Sequence, residues 1–162
     1  MEDVRPRKVT PDTAIDDIDR RLLRALSDDA RLSNSALAKK VGIAASTCHF
    51  RVRRLVDRGI IRGFRLDIAP EALGYGIQAI VAVRLQPTAR GQISRYAAGL
   101  SKLPGVLNVY FVAGVDDFQV HVAAASSDDL RGFVEGLSKT REVASTETSL
   151  IFEHTVGSVG IV

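Results

Sequence analysis

The chain has 162 residues, 46% of them apolar, 25% charged and 6% aromatic, with a formal net charge of +3, the balance of a soluble protein of one or two small domains. It holds no apolar run approaching the roughly 18–20 residues of a bilayer helix, and Met1–Pro11 lacks the apolar block of a secretory signal, so a cytoplasmic protein without membrane contact is expected. Cys48 is the single cysteine, His49, His121 and His154 are far apart, and HExxH, GxSxG, Walker-type and GxGxxG patterns are absent; this argues against an internal disulfide, a metal site, a cofactor, catalytic residues and enzymatic turnover.

The charge is unevenly spread. Residues 1–65 hold 15 Lys/Arg against 9 Asp/Glu, whereas the remainder holds 7 against 10, as expected when one module meets a polyanion. Residues 1–13 mix charges with Pro6 and Pro11 and read as a flexible arm. A helix-turn-helix domain is expected over 14–59. Asp16 suits an N-cap, with Asp19 also favourable at a positive helix start, and Ile18, Leu22, Ala25 and Leu26 then recur at helical spacing to about Ser27. Ser33 can cap a second helix with Leu37, Ala38 and Val41 buried, and Gly42 supplies the left-handed residue that stops it. The third helix, about Ala45 to Arg58, places Cys48, Val52, Leu55 and Val56 on one face. Ser46, Thr47, Phe50, Arg53 and Arg54 fall on the other, with His49 and Arg51 on the flanks. Two short helices joined by a tight glycine turn present the second to the major groove of double-stranded DNA, where hydroxyl and guanidinium groups reach base edges and phosphates. A solvated amphipathic helix is the plainer alternative. Over 60–75, Gly59 is followed by alternating apolar and basic residues, which reads as a linker strand.

At this point the chain resembles the Lrp/AsnC family of feast/famine regulators, from about Ile15 to the last strand. The resemblance is carried by Ile15-Asp16-Asp17-Ile18-Asp19-Arg20-Arg21-Leu22-Leu23, Asp29-Ala30-Arg31-Leu32-Ser33, Leu37-Ala38-Lys39-Lys40-Val41-Gly42, Arg51-Val52-Arg53-Arg54-Leu55 and Gly59-Ile60-Ile61-Arg62-Gly63-Phe64. There are two departures. Ala44-Ala45 stands where the family usually opens its recognition helix with Ser-Pro, leaving Ser46 or Thr47 to supply the cap, and Phe50 stands where a polar or basic residue is common. An aromatic there would touch a thymine methyl or be covered by protein.

A second module is expected over 76–156, with a tail over 157–162. Its order is strand (Ile77 to Leu85), helix (about Gln92 to Leu103), strand (Val106 to Ala113), strand (Phe118 to Ala124), helix (Asp128 to Leu137) and strand (about Ser145 to Phe152). This is βαββαβ, so the fold class is α+β, a winged-helix-like helix-turn-helix followed by a ferredoxin-like domain. Ile93, Tyr96, Ala97 and Leu100 share one helical stripe, and Leu130, Phe133, Val134 and Leu137 the other. Helices on one side leave the other sheet face wet or paired, and subunit association is the economical cover. Leu103-Pro104-Gly105-Val106 and Gly114-Val115-Asp116-Asp117-Phe118 are similar to the family's effector-domain signatures. That resemblance implies an amino-acid pocket at a subunit interface, with Gly114 and Val115 offering backbone amides to a carboxylate, Asp116 or Asp117 meeting an ammonium, and Thr146 and Thr148 adding hydroxyls. An ordinary β-hairpin turn is the alternative.

The expected function is therefore a sequence-specific DNA-binding transcriptional regulator whose assembly or DNA binding responds to a small metabolite, most simply an amino acid. The resemblance implies a homo-oligomer of dimers, commonly an octamer. Its rival is an architectural DNA-binding protein without an effector.

Overall fold

The computed structural model describes residues 15–155, so the expected arm over 1–13 and the tail over 157–162 lie outside the described residues. The chain forms two compact units that meet in sequence at Leu66 and Asp67.

The first unit is three helices, α1 (Asp17–Asp28), α2 (Asn34–Val41) and α3 (Ala45–Asp57). Asp16 caps α1 by accepting the Asp19 amide at 2.8 Å, and Ser33 caps α2 by accepting the Ala36 amide at 3.2 Å. Gly42, at φ 74° and ψ 42°, ends α2 and donates its N–H to Ala38 O, so α3 begins only three residues later. Leu22, Ala25, Leu37, Ala38, Val41 and Cys48 form the core, with Ile18, Leu26, Leu32, Ile43 and Val52 packed around it. Each large aliphatic side chain buried here contributes about 1.5–3 kcal/mol, which outweighs any surface ion pair of the unit.

Three expectations fail here. Val56 is 41% exposed, because the buried stripe of α3 is narrower than its apolar spacing suggests. No side chain caps α3: Ala44 holds the cap position at φ −66° and ψ 146°, and Ser46 and Thr47 sit inside the first turn. The linker strand does not form within the protomer. Ile60 and Ile61 are half-buried, their N–H groups donating to Leu55 O, but 62–69 forms neither helix nor strand, and Phe64 and Leu66 are exposed. Among the described residues no wing strand follows α3.

The second unit contains β1 (Ile77–Leu85), α4 (Ile93–Leu100), β2 (Val106–Phe111), β3 (Phe118–Ala124), α5 (Ser127–Ser138) and β4 (Val143–Ile151). Its sheet order is β2-β3-β1-β4 with every neighbouring pair antiparallel, the expected ferredoxin-like arrangement. Period-two alternation sends Ala79, Val81, Val83 and Leu85 of β1, with Phe118, Val120 and Val122 of β3, toward Leu100, Leu130 and Leu137 of the helices. α4 is shorter than expected, because Pro87–Gln92 forms a 3-10 turn before it and the Leu103-Pro104-Gly105 turn follows it. Gly105 lies against β3: its carbonyl accepts the Ala123 N–H at 2.7 Å, and its φ of 79° is one an L side chain rarely adopts.

The opposite sheet face carries Gln78, Ile80, Ala82 and Arg84 of β1, all half-buried; α4 and α5 pack on the other side, and Gln78 donates to Glu71 Oε1 of the 3-10 turn Pro70–Leu73 at 3.0 Å. His121 lies on this face yet is only 6% exposed. Its Nε2 is 2.9 Å from Gln78 Oε1, its Nδ1 is 3.5 Å from Asn108 Nδ2, and the His154 ring meets it edge-on at 5.7 Å. Burial, reinforced by His154, holds the His121 pKa below its ordinary value.

Candidate functional site

The outward edge of α3 brings together most of the residues expected to meet DNA. Ser46, Thr47, His49, Phe50 and Arg53 are all exposed, Phe50 at 65%, while Cys48 and Leu55 on the inward side are fully buried. Arg53 is held only loosely, its Nε 3.9 Å from Asp57 Oδ2 one turn later. The edge thus offers two hydroxyls, an imidazole, an aromatic ring and a solvated guanidinium over two turns.

Arg54 is placed differently. Its Nη2 donates to Asp19 Oδ2 at 2.8 Å, and Arg51 Nη1 donates to Asp19 Oδ1 at 2.9 Å and to Asp16 Oδ2. Asp19 is fully buried on α1, so both of its oxygens are occupied by α3. The Arg51 guanidinium lowers the Asp16 pKa, and Asp16 in turn raises that of Arg51. Sequence reasoning gave Asp19 a favourable place at the start of α1 and missed this role. A carboxylate on the inward side of an amphipathic helix, three residues after the cap, was the available signal.

In the second unit the Gly114–Asp117 turn joins β2 to β3 at the end of β1. Gly114 has a φ of 150° and Val115 is 69% exposed. The two carboxylates already have protein partners. Asp117 Oδ2 accepts the Leu85 amide at 2.8 Å and its Oδ1 is 3.2 Å from Arg90 Nε, whereas Asp116 Oδ1 is 4.0 Å from Arg84 Nε. Arg84 Nε also donates to Val115 O at 2.9 Å. Thr146 lies opposite Val83 and exchanges a hydrogen bond with Ser138 at 3.1 Å, while Thr148 lies opposite Val81 and is exposed. A cavity of about 450 Å³ runs between Gly105, Ala123 and Phe133, and another of about 330 Å³ between Glu71, Gln78 and His154; neither is lined by the turn or the threonines. Among the described residues no His/Cys/Asp/Glu group could hold a metal ion, and no helix is long and apolar enough to cross a membrane.

Residues 15–62 match the winged helix-turn-helix DNA-binding family, and residues 78–160 match the Lrp/AsnC ligand binding domain. The chain belongs to the Lrp/AsnC family of transcriptional regulators. It is 58% identical over 145 residues to the HTH-type transcriptional regulator AldR of Mycolicibacterium smegmatis, covering 89% of this chain and 85% of that one. AldR of Mycobacterium tuberculosis is 52% identical over 161 residues, with coverages of 99% and 87%. The feast or famine regulatory protein from M. tuberculosis complexed with L-methionine superposes with a TM-score of 0.75 at 32% identity, covering 89% of this chain and 96% of the other. As a member of the Lrp/AsnC family, the chain is a DNA-binding transcriptional regulator with a ligand-binding domain.

Proposed function

We propose that this regulator reads a specific operator with Ser46, Thr47, His49, Phe50 and Arg53 of α3, and that an amino acid governs its assembly or DNA binding through the second unit. The exposed polar edge of α3 carries the first part. Arg54, expected to touch DNA, contributes from behind that edge through its ion pair with Asp19. Phe50 suits contact with a thymine methyl, since two-thirds of its surface is free.

The L-methionine bound to a relative supports an amino-acid effector. The Gly114–Asp117 turn lines neither of the two cavities described above, and a second subunit is proposed to complete a pocket there, with Gly114 and Val115 supplying amides and Asp116, Thr146 and Thr148 supplying polar side chains. The sheet face opposite α4 and α5, bearing half-buried Ile80 and Ala82 with Tyr110 52% exposed on β2, is proposed as the dimer contact, and exposed Phe64 and Leu66 as a further one; dimers then build toward an octamer. An effector acts by binding one assembly better than another, since equal affinity shifts nothing. Cytoplasmic residence and the absence of catalysis go with this reading.

The partnered state of Asp116 and Asp117 favours a second reading, an architectural DNA protein without an effector. Calorimetry with a panel of amino acids, combined with mass measurement of the assembly, separates the two: heat and a change in mass for one amino acid support regulation by an effector, and silence across the panel supports the architectural role. For α3 the test is Arg53→Ala. It is expected to weaken operator binding at least tenfold and to reduce the slope of log K against log salt by about one, with oligomer mass unchanged; unchanged affinity would remove α3 as the reader.

A further inference from the structure

Asp19 is a fully buried carboxylate that both α3 arginines of the cluster approach, one on each oxygen. A buried ion pair is a costly way to join two helices, because apolar side chains of similar volume would do so at least as well. What it adds is direction. The two oxygens fix two guanidinium groups borne by residues about one turn apart, Arg51 and Arg54, and Asp16 holds the first of these again from the cap of α1. Such a clamp sets the roll of α3 about its own axis and its height along α1. With side chains reaching roughly 5–6 Å from the axis, a roll of about 20° would carry their tips about 2 Å, whereas recognition requires placement within about 0.5 Å.

Van der Waals packing of Cys48 and Leu55 leaves this roll softer, since neither side chain has a directional partner. The residues that face outward lie on the same rigid helix as Arg51 and Arg54. Any slip at the clamp therefore moves Ser46, Thr47, Phe50 and Arg53 together. The clamp also withholds two guanidinium charges from the solvent side, Arg51 more completely than Arg54, whose side chain keeps 36% of its exposure.

We propose that Asp19 is a positioning residue for DNA reading: through Arg51 and Arg54 it fixes the orientation of α3, so that discrimination between duplexes depends on Asp19 while general affinity for duplex does not. The proposal rests on the reading that the outward edge of α3 enters the groove. Removing the carboxylate charge loosens the helix and releases guanidinium groups toward any nearby phosphate.

The test uses the full-length protein, the tightest duplex that the wild-type protein selects from a random pool, and a scrambled duplex of the same composition, with affinities measured across a salt series. Asp19→Asn is expected to lower the ratio of selected to scrambled affinity at least tenfold. Scrambled-duplex binding at low salt is retained or tighter, and its salt slope is steeper by about one. An unchanged ratio, or equal losses on both duplexes, overturns the proposal. Circular dichroism and chromatography establish whether the variant folds. If it does not, Arg54→Gln carries the test: a threefold or greater loss of the ratio supports the clamp, and no loss overturns it. Arg53→Ala distinguishes the two levels. If Arg53→Ala leaves both duplexes bound as before, the reading of α3 itself fails, whereas a weakened Arg53→Ala beside an unaltered Asp19→Asn ratio removes only the role of Asp19.

Discussion

Asp117 closes the sheet end against Leu85: its Oδ2 accepts the Leu85 amide at 2.8 Å while its own N–H donates to Val83 O at 3.0 Å. The side chain is mostly buried and leaves Leu85 without another donor's claim on that oxygen except Arg90 Nη2 at 3.4 Å. Asp117→Ala is expected to cost about 1.5–3 kcal/mol, the range for a buried hydrogen bond to a charged group, read as a lower urea midpoint of the second unit. Wild-type stability in this variant would free Asp117 for the effector role first expected of it.

Gly105 and Gly132 should respond oppositely to alanine. A Cβ on Gly105 would stand 2.4 Å from the Ala123 carbonyl oxygen, and the backbone there is left-handed. The conformational penalty alone is about 1–2 kcal/mol, and displacing β3 adds to it. Gly132, on the exposed side of α5, has open space around its Cβ position, so Gly132→Ala should stabilise by up to about 1 kcal/mol. Thermal melts of the two variants check the contrast.

The stability of the second unit should depend on pH through His121. Burial favours its neutral form, so the folded pKa lies below the ordinary 6.5 of the unfolded chain. The unfolded state then binds the proton more readily. Stability from this source is complete above about 6.5, declines as pH falls toward the folded value, and changes no further below it. Urea midpoints between pH 7.5 and 4.5 should show that decline in the wild type and a shallower one in His121→Gln.

Cys48 should resist thiol reagents in the native protein. It is fully buried in the helix-turn-helix core and burial pushes its thiol pKa up, so both access and thiolate are scarce. Labelling is expected to be slow and to accelerate with urea in step with unfolding. Rapid labelling of folded protein would contradict this packing.

Much of the architecture was legible because local chemistry decides it. Asp16, Ser33 and Gly42 bound their helices as their side chains or φ freedom require, and the even spacing of Ala79, Val81, Val83 and Leu85 assigns the buried face of β1. The stretch from Ile60 to Leu66 was misread for a physical reason: alternation gives a strand its faces but cannot supply a neighbouring edge, and none of the described strands pairs with it. The partners of Arg54 and Asp117 were likewise out of reach. Each lies about thirty residues away, and a charged side chain written on a line does not declare whether solvent or another helix receives it.

Because the Asp16–Asp19–Arg51–Arg54 cluster is neutral within itself, the positive excess of the first 65 residues must be spread over arginines and lysines elsewhere on that half of the chain. Long-range attraction to a polyanion then comes from those cations, Arg53 among them, rather than from the clamped pair of Arg51 and Arg54. Encounter rates should consequently vary with ionic strength but hardly with the duplex offered, leaving the lifetime of the complex to register which bases were met.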